Sequence, residues 1–522
     1  MNTPSRRQFL SRVGQGMLIA GVGSAFAEEL GISTAIATEA PARLTFGDAE
    51  PLVSLLQETP ADKLQPLLAE KLKRGNVDLR QLVKAASLAN ARTFAGEDYI
   101  GMHTLMALKP AWLMSQQLPA NRQALSVLKV LYRNTSQIQA LGGSSKERLR
   151  PVARKVISAR ENTAQMLHDA VRGERADEAE QILAAIAGSS PDRAFNELMH
   201  VVEDGIDVHR IVFAHRSWDV LDLAGRENAE TLLRQSLRYC LKNEKWTAAR
   251  QSQPRTMLPK LLDEYALLSR PPAGSRAGDD AWVEELSKTI FEATPQQAAA
   301  AVAAALKENM SPKSIGEAIS LAANQLVLRD AGRTEKMVRP GKPVGSTHGD
   351  SIGVHAQDSA NAWRKIAEVS NHRNTMACLI LAGYQVARDR SNRGGKFLEW
   401  KPRPHTDELA KIKAKSSKAL LRELDGAIRE NNQDRACAVA HQYGTLGHKA
   451  RPAFDLLLRY ATSEDGALHA EKYFITSSLD FADTRPAFRW RHLTGLARVT
   501  ASEYGQPAPG YAQACELLGV KA

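Results

Sequence analysis

Cysteine is scarce in this chain: there are four in 522 residues, far apart and without a C-x-x-C pair. This scarcity argues against a disulfide-dense scaffold and excludes haem attachment through C-x-x-C-H. Glycine and proline, at 34 and 23 residues, are too ordinary in number for a collagen-like or low-complexity chain. With 43% hydrophobic residues there is enough apolar material for a folded core, so general disorder is excluded as well.

Charge of one sign is not concentrated anywhere in the sequence. The formal net charge is +11, but the 58 acidic residues are interspersed with the 69 basic ones. No block of like charges stands out. Proteins that bind nucleic acid usually gather basic charge into a stripe or onto one helix face. The sequence therefore predicts a solvated basic surface and no nucleic-acid partner.

The short motifs of common catalytic and nucleotide-binding sites are also missing. The chain contains no H-E-x-x-H, no G-x-S-x-G, no Walker loop and no G-x-G-x-x-G. Motifs alone therefore leave open whether the protein is an enzyme, and the spacing of chemically active residues has to be considered instead.

Residues 1–27 have the composition of a targeting signal. A basic start is followed by an apolar run from Gly16 to Phe26 and by an A-x-A cleavage site at Ala25 to Ala27. The apolar run is shorter than the ~20 residues that span a bilayer. We therefore expect no stable membrane span in the mature chain.

Within this segment, residues 5–10 read SRRQFL and resemble the twin-arginine export signal S-R-R-x-F-L at every specified position. Such signals are addresses read by a receptor. The resemblance implies the twin-arginine export machinery as a partner and a periplasmic or extracellular location in a bacterium. It also implies cargo that folds before export, often around a cofactor.

After a linker predicted at residues 28–58, which contains Pro41 and Pro51, the chain is predicted to be all-α. Alanine, leucine, glutamate, glutamine, lysine and arginine dominate, and apolar residues recur at steps of three and four. No clear run of alternating β-branched residues predicts a strand.

The helical segments recur in a fixed order. TPADKLQPLLAEKLKRG from Thr59 matches TPQQAAAAVAAALKENM from Thr294, and in both the threonine is a predicted cap with proline in the first turn. We predict four tandem multi-helix units, each of about four helices. Their residue ranges are 59–150, 151–280, 281–400 and 401–522. Such units form an open α-solenoid or a closed α-toroid, because one unit alone cannot bury both of its apolar faces.

One histidine stands at the same place in the third helical segment of every unit. These histidines are His103, His209, His355 and His469. A carboxylate precedes each of them by five residues: Asp98, Asp204, Asp350 and Glu464. A glycine lies in the turn between: Gly101, Gly205, Gly353 and Gly466.

Two hypotheses account for this recurring pattern. In the first, a closed array brings the four histidines to one axis, where they bind a metal, with the four carboxylates as ligands or as partners of the ligands. Iron, copper, manganese and zinc are all chemically admissible. In the second, each acidic residue is a helix N-cap and each histidine bonds within its own unit. In an open stack the four side chains are too far apart to share a ligand.

Residues 353–368 of the third unit, GVHAQDSANAWRKIAE, resemble a histidine-containing helix of the questin oxidase-like proteins, which are all-helical chains of similar length. The resemblance implies an oxygenase that acts on an aromatic polyketide-like or quinone substrate. It implies that His355 belongs to the active site, with the other three histidines matching only through the internal repeat.

The sequence as a whole predicts an exported oxidoreductase or oxygenase, with a small-molecule substrate and a metal where the four histidines converge. The alternative is a periplasmic helical-repeat protein that performs no chemistry and binds a protein or polymer on a concave face. Imidazole separations under about 8 Å favour the metal site, since each ligand must lie ~2 Å from the ion.

Overall fold

The computed structural model describes residues 43–158, 160–269, 274–391 and 396–522. The predicted signal segment and most of the predicted linker lie outside these ranges. The described residues form helices joined by turns, with isolated β-bridges and no β-strand among them. The all-α prediction is confirmed for this part of the chain. None of its helices is both long enough and apolar enough to cross a membrane.

Units one and two form the first half of the described chain. Unit one comprises α1 (Glu50–Glu58), α2 (Ala61–Lys73), α3 (Leu79–Phe94), α4 (Tyr99–Ser115) and α5 (Gln123–Ala140). Unit two comprises α6 (Thr163–Arg172), α7 (Ala176–Ser189), α8 (Pro191–Val202), α9 (Val208–Asp219), the short α10 (Leu221–Ala224) and α11 (Ala229–Lys242). Two connecting helices follow, α12 (Glu244–Arg250) and α13 (Gln253–Glu264).

The last two units are built in the same order. Unit three comprises α14 (Asp280–Glu292), α15 (Pro295–Lys307), α16 (Pro312–Arg329), α17 (Ile352–Val369) and α18 (His372–Ser391), and α19 (Thr406–Lys411) connects it to the next. Unit four comprises α20 (Ser417–Arg429), α21 (Gln433–Thr445), α22 (Ala450–Ser463), α23 (His469–Asp483) and α24 (Trp490–Glu503), and α25 (Tyr511–Leu518) ends the chain.

The same helix pairs pack together in all four units. The first main helix packs on the third and the second on the fifth, while the fourth packs against both the third and the fifth. Each unit thus has five main helices rather than the four that the sequence predicts, the additional one being the first.

In unit one the additional helix is α1, so the linker prediction is wrong for residues 50–58. Pro51 lies in the first turn of this helix, where its missing N–H breaks no hydrogen bond. Val53 and Leu56 are fully buried, so the segment belongs to the core.

The four fourth helices, α4, α9, α17 and α23, pack in a closed cycle. Helix α4 contacts α9, α9 contacts α17, α17 contacts α23, and α23 returns to α4. The C-terminal helix α25 also packs on α2 and α5 of unit one. Of the two arrangements that the sequence allows, these contacts are those of a closed ring. We call the four helices the inner cycle.

Local sequence features explain how some of these helices begin. Thr294 forms the predicted cap of α15: its hydroxyl accepts the Gln297 N–H, and the Gln297 side chain accepts the Thr294 N–H in return. Thr59 does not cap α2, because Pro60 occupies the N-cap position there and offers no side-chain acceptor. The four cysteines are free thiols buried in the core, where they serve as small apolar side chains.

A buried ion pair joins unit four to unit one. The Lys129 ammonium on α5 lies 2.7 Å from Glu471 Oε1 on α23, with 2% and 0% of the two side chains exposed. Lys129 also donates to the Ala461 carbonyl at 2.8 Å. Both charges are removed from water, so the loss of one partner leaves the other uncompensated.

We therefore expect Lys129→Met to lower the free energy of unfolding by about 3–5 kcal/mol, the usual cost of breaking a buried pair. Arg451→Met is the matched control, because its partner Asp455 is 49% exposed and such surface pairs are worth about 0–1 kcal/mol. Urea unfolding of the two variants provides the comparison. Equal, small losses in both variants would contradict a stabilising role for the Lys129 contact.

Candidate histidine site

The inner cycle brings together the four histidines singled out by the sequence. His103 is the fifth residue of α4 and His209 the second of α9. His355 is the fourth residue of α17 and His469 the first of α23. All four lie near the N-terminal ends of helices that pack against one another. We call them the histidine cluster.

The four imidazole rings form a closed quadrilateral. Ring centroids are 5.0 Å apart for His103 and His209, and 5.7 Å apart for His209 and His355. They are 5.4 Å apart for His355 and His469, and 5.1 Å apart for His469 and His103. Side chains separated by more than a hundred residues along the sequence are therefore direct neighbours.

Two ring nitrogens of the cluster face each other. His355 Nε2 lies 3.3 Å from His469 Nε2. Two nitrogens bound to one ion at ~2.0–2.1 Å with a tetrahedral angle are about 3.3–3.4 Å apart. This pair already has the spacing of two ligands of one metal.

The Nε2 atoms of His103 and His209 are buried and have no hydrogen-bond partner among the described residues. Buried polar atoms without a partner are rare in folded proteins, and each calls for an explanation. A ligand that accepts a nitrogen lone pair would provide one.

Two of the four Nδ1 atoms are held by backbone carbonyl oxygens. His103 Nδ1 lies 2.8 Å from the Tyr99 carbonyl oxygen, and His469 Nδ1 lies 3.0 Å from the Ala467 carbonyl oxygen. Because a carbonyl only accepts, both Nδ1 atoms carry the proton, which leaves the Nε2 lone pairs available. Histidines that bind metals usually donate their other N–H to a carbonyl or carboxylate in this way.

The backbone immediately before His469 is strained. Ala467 and Leu468 have φ values of 47° and 67°, in a region that non-glycine residues seldom adopt. This bend brings the Ala467 carbonyl to the His469 ring. Strain of this kind is maintained only where the surrounding structure enforces it, which is common at functional sites.

Burial keeps two of the four imidazoles uncharged. Burial, with the charges of Lys472 and His209, lowers the pKa of His103 to about 2. Burial and Lys472 also hold the pKa of His469 well below its ordinary value. Both rings are therefore neutral at ordinary pH, which is the form that binds metals.

The four predicted carboxylates have partners of their own. Asp98 accepts the Gly101 N–H at 2.7 Å and caps α4. Asp204 accepts two hydrogen bonds from Arg172, at 2.8 and 2.7 Å, and lies 2.9 Å from His168 Nε2.

The other two carboxylates are engaged in a similar way. Asp350 pairs with Arg333 at 2.5 Å and Lys342 at 3.1 Å, and Glu464 accepts the N–H groups of residues 505 and 506 at 2.9 and 2.7 Å. Burial alone would raise the pKa of Asp350, but these cations lower it to about 2.

The capping hypothesis holds for Asp98 alone among the four. Asp207 caps α9 and Ser351 caps α17, while α23 has no side-chain cap. A fixed spacing of five residues picks out a different backbone position in each unit, because the turns before the inner helices differ in shape.

Three further residues at the cluster were missed by the sequence analysis. Asp207 Oδ1 lies 3.6 Å from His209 Nδ1. The Tyr99 ring lies 4.3 Å from His103 and 5.5 Å from His209, measured between centroids. Lys472 follows His469 by one helical turn. Of these residues, Lys472 could have been found from the sequence, because it lies three residues after a predicted site histidine and so on the same helix face.

In the side-chain positions of this structure, no group of three or more His, Cys, Asp or Glu within the described ranges is arranged to hold a metal ion. The His355 and His469 nitrogens are at ligand spacing, and the rings of His103 and His209 adjoin them.

No protein-family model matches this chain, and no curated protein or solved structure is found to match it. The resemblance of residues 353–368 to questin oxidase-like proteins therefore stays a prediction, as does export by the twin-arginine route.

Acid should destabilise the protein through its buried histidines. A group whose pKa is lowered on folding binds fewer protons in the folded than in the unfolded state, so stability decreases as pH falls below the unfolded value near 6.5. Burial is the first cause in every case. It lowers the pKa of His103 to about 2, His215 to about 3, and His200 and His492 to about 4.

We expect the free energy of unfolding to change little between pH 7 and 7.5 and to fall between pH 6.5 and 4. Each of these histidines contributes up to about 1.4 kcal/mol per pH unit. Urea unfolding at pH 7.5, 6.5, 5.5 and 4.5 measures the slope, and His215→Gln should reduce it. A free energy that does not change between pH 6.5 and 4.5 would show that these histidines take up protons equally in the folded and the unfolded protein, against the lowered pKa values.

Proposed function

We propose that this protein is an exported, metal-dependent oxidoreductase or oxygenase whose metal is bound by the histidine cluster. The observation that supports this most directly is the closed quadrilateral of imidazoles, one from each quarter of the ring. The Nε2 atoms of His103 and His209, which have no hydrogen-bond partner among the described residues, and the neutral state of His103 and His469 agree with it. Ring closure also explains why a histidine recurs in each unit.

Imidazole nitrogens suit a first-row transition metal better than a hard cation such as calcium. Iron, copper and manganese change oxidation state and can support redox chemistry. Zinc fits the ligands but does not change oxidation state. A redox function therefore favours the first three, and an open coordination position would admit dioxygen or substrate.

Two sequence features agree with this proposal. The export signal at residues 5–10 resembles one used for folded cargo, which would allow a metal to be inserted before export. The resemblance of residues 353–368 supports an aromatic polyketide-like or quinone substrate, with His355 at the site of reaction.

The alternative is a non-catalytic binding protein, and one surface feature favours it. A groove of about 1370 Å³ lies where units four and one meet. Six basic side chains line it: Arg122, Lys418, Arg422, Arg429, Arg451 and Arg459. Asp425 and Asp455 line it too and pair with Arg429, Arg459 and Arg451, which leaves Arg122, Lys418 and Arg422 to attract an acidic protein or polymer.

Metal analysis of the exported protein tests the ligand assignment. We expect about one redox-active metal ion per chain, and at least a tenfold lower metal affinity in His355→Ala, since even partners of metal ligands are worth 10–100-fold. His441→Ala is the control, because His441 lines a different surface cavity. A folded His355→Ala protein with its full metal content would exclude His355 as a ligand.

Oxygen uptake tests the reaction. Hydroquinones supply their own electrons, two per molecule, so their oxidation by dioxygen needs no nicotinamide cofactor. We expect the metal-loaded wild type to consume dioxygen with an aromatic hydroquinone, and His355→Ala to consume at least tenfold less. A metal-loaded wild type that consumes none across a panel of hydroquinones would favour the binding-protein alternative.

A further inference from the structure

A buried lysine lies next to the histidine cluster. Lys472 follows His469 by three residues on α23, so the two side chains share a helix face, and only 3% of Lys472 is exposed. Helical side chains lean toward the N-terminus, which directs the lysine back toward the imidazoles. Its charge acts on both His103 and His469.

This lysine has no ion-pair contact with either of the carboxylates that act on it. Those carboxylates are Asp358 and Glu471. Glu471 is already paired with Lys129 at 2.7 Å, and Asp358 Oδ1 has no hydrogen-bond partner within the described ranges. Burial raises the pKa of Asp358, which weakens it as a counterion.

The residues one helical turn after the four histidines are apolar in units one and two and ionisable in units three and four. Met106 and Val212, three residues after His103 and His209, are 1% and 4% exposed. Asp358 and Lys472 take the same positions in units three and four and are 5% and 3% exposed. The layer beneath the imidazoles is therefore apolar on one side and charged on the other.

The other charged groups near this site are of both signs. Arg216 lies seven residues after His209, on the same face of α9, and is 3% exposed, but it pairs with Asp219 at 3.0 Å. The four inner helices also begin at the cluster, so the positive ends of their dipoles meet there. The Asp207 carboxylate opposes this charge at His209, but it is shared with the Tyr239 hydroxyl and the Arg210 N–H.

We propose that the histidine cluster binds a small anion, such as a carboxylate or an azide-sized ion, held between Lys472 and the imidazole layer. With respect to the metal this rests on the proposed function: imidazole ligands bind a metal in their neutral form, so they leave the charge of the ion uncompensated, and Lys472 adds to it. Lys472 is then a specificity-determining residue that selects an anionic ligand or the anionic form of a substrate.

Azide is the probe, and Lys472→Met is the variant, because methionine keeps the length of the buried side chain without its charge. Lys365→Met is the matched control: Lys365 lies on an inner helix but pairs with Asp483 at 2.8 Å, away from the cluster. Azide binding is measured in two preparations. One is cobalt-loaded protein, by its visible spectrum, and the other is metal-free protein, by the shift in its thermal midpoint.

We expect azide to bind the wild type and the Lys365→Met protein equally, and the Lys472→Met protein at least tenfold more weakly. Metal affinity should be unchanged or higher in Lys472→Met, since a repelling cation has been removed. This opposite response separates loss of an anion site from general damage to the cluster.

Equal azide affinity in the wild type and Lys472→Met would overturn the proposal, and so would the absence of azide binding in both preparations of the wild type. If cobalt does not bind but azide raises the thermal midpoint in a Lys472-dependent way, the metal function fails and the anion site remains. If cobalt binds but azide binds to neither preparation, the anion site fails and the metal function remains.

Discussion

The closure of the inner cycle is the constraint on which the candidate site depends. Each unit contributes one helix with a histidine near its N-terminal end. Those helices meet because α23 of the last unit packs on α4 of the first. An open superhelix with the same local structure would leave the imidazoles a repeat apart, with no shared ligand. Contacts between the last unit and the first, such as that of Lys129 with Glu471, therefore support the site by holding the two ends of the ring together.

The sequence predicted the helical class, the recurrence of units and the four histidines because these features are local or periodic. It missed α1, because Pro41 and Pro51 suggested a linker and proline is equally acceptable in the first turn of a helix. It also could not decide between ring and stack. That choice depends on small rotations between units, which accumulate over the whole chain and leave no mark in a single repeat.

The carboxylates show a second limit of reasoning from spacing. Asp204 and Asp207 are three residues apart, and the fixed offset of five selected the one that pairs with Arg172 rather than the one beside His209. Which acid reaches a histidine depends on the turn that precedes the helix. Lys472 shows the same limit. No lysine recurs at this position in the other units, so the repeat pattern does not mark it, and only the structure places it buried beside the cluster.

X-ray absorption spectroscopy of the metal-loaded protein tests most directly whether one residue from each quarter of the ring binds the same ion. We expect three to four imidazole nitrogens at about 2.0–2.1 Å from the metal, and one fewer in His103→Ala. A first shell made of oxygen atoms, or one with at most a single imidazole, would contradict a shared site at the histidine cluster.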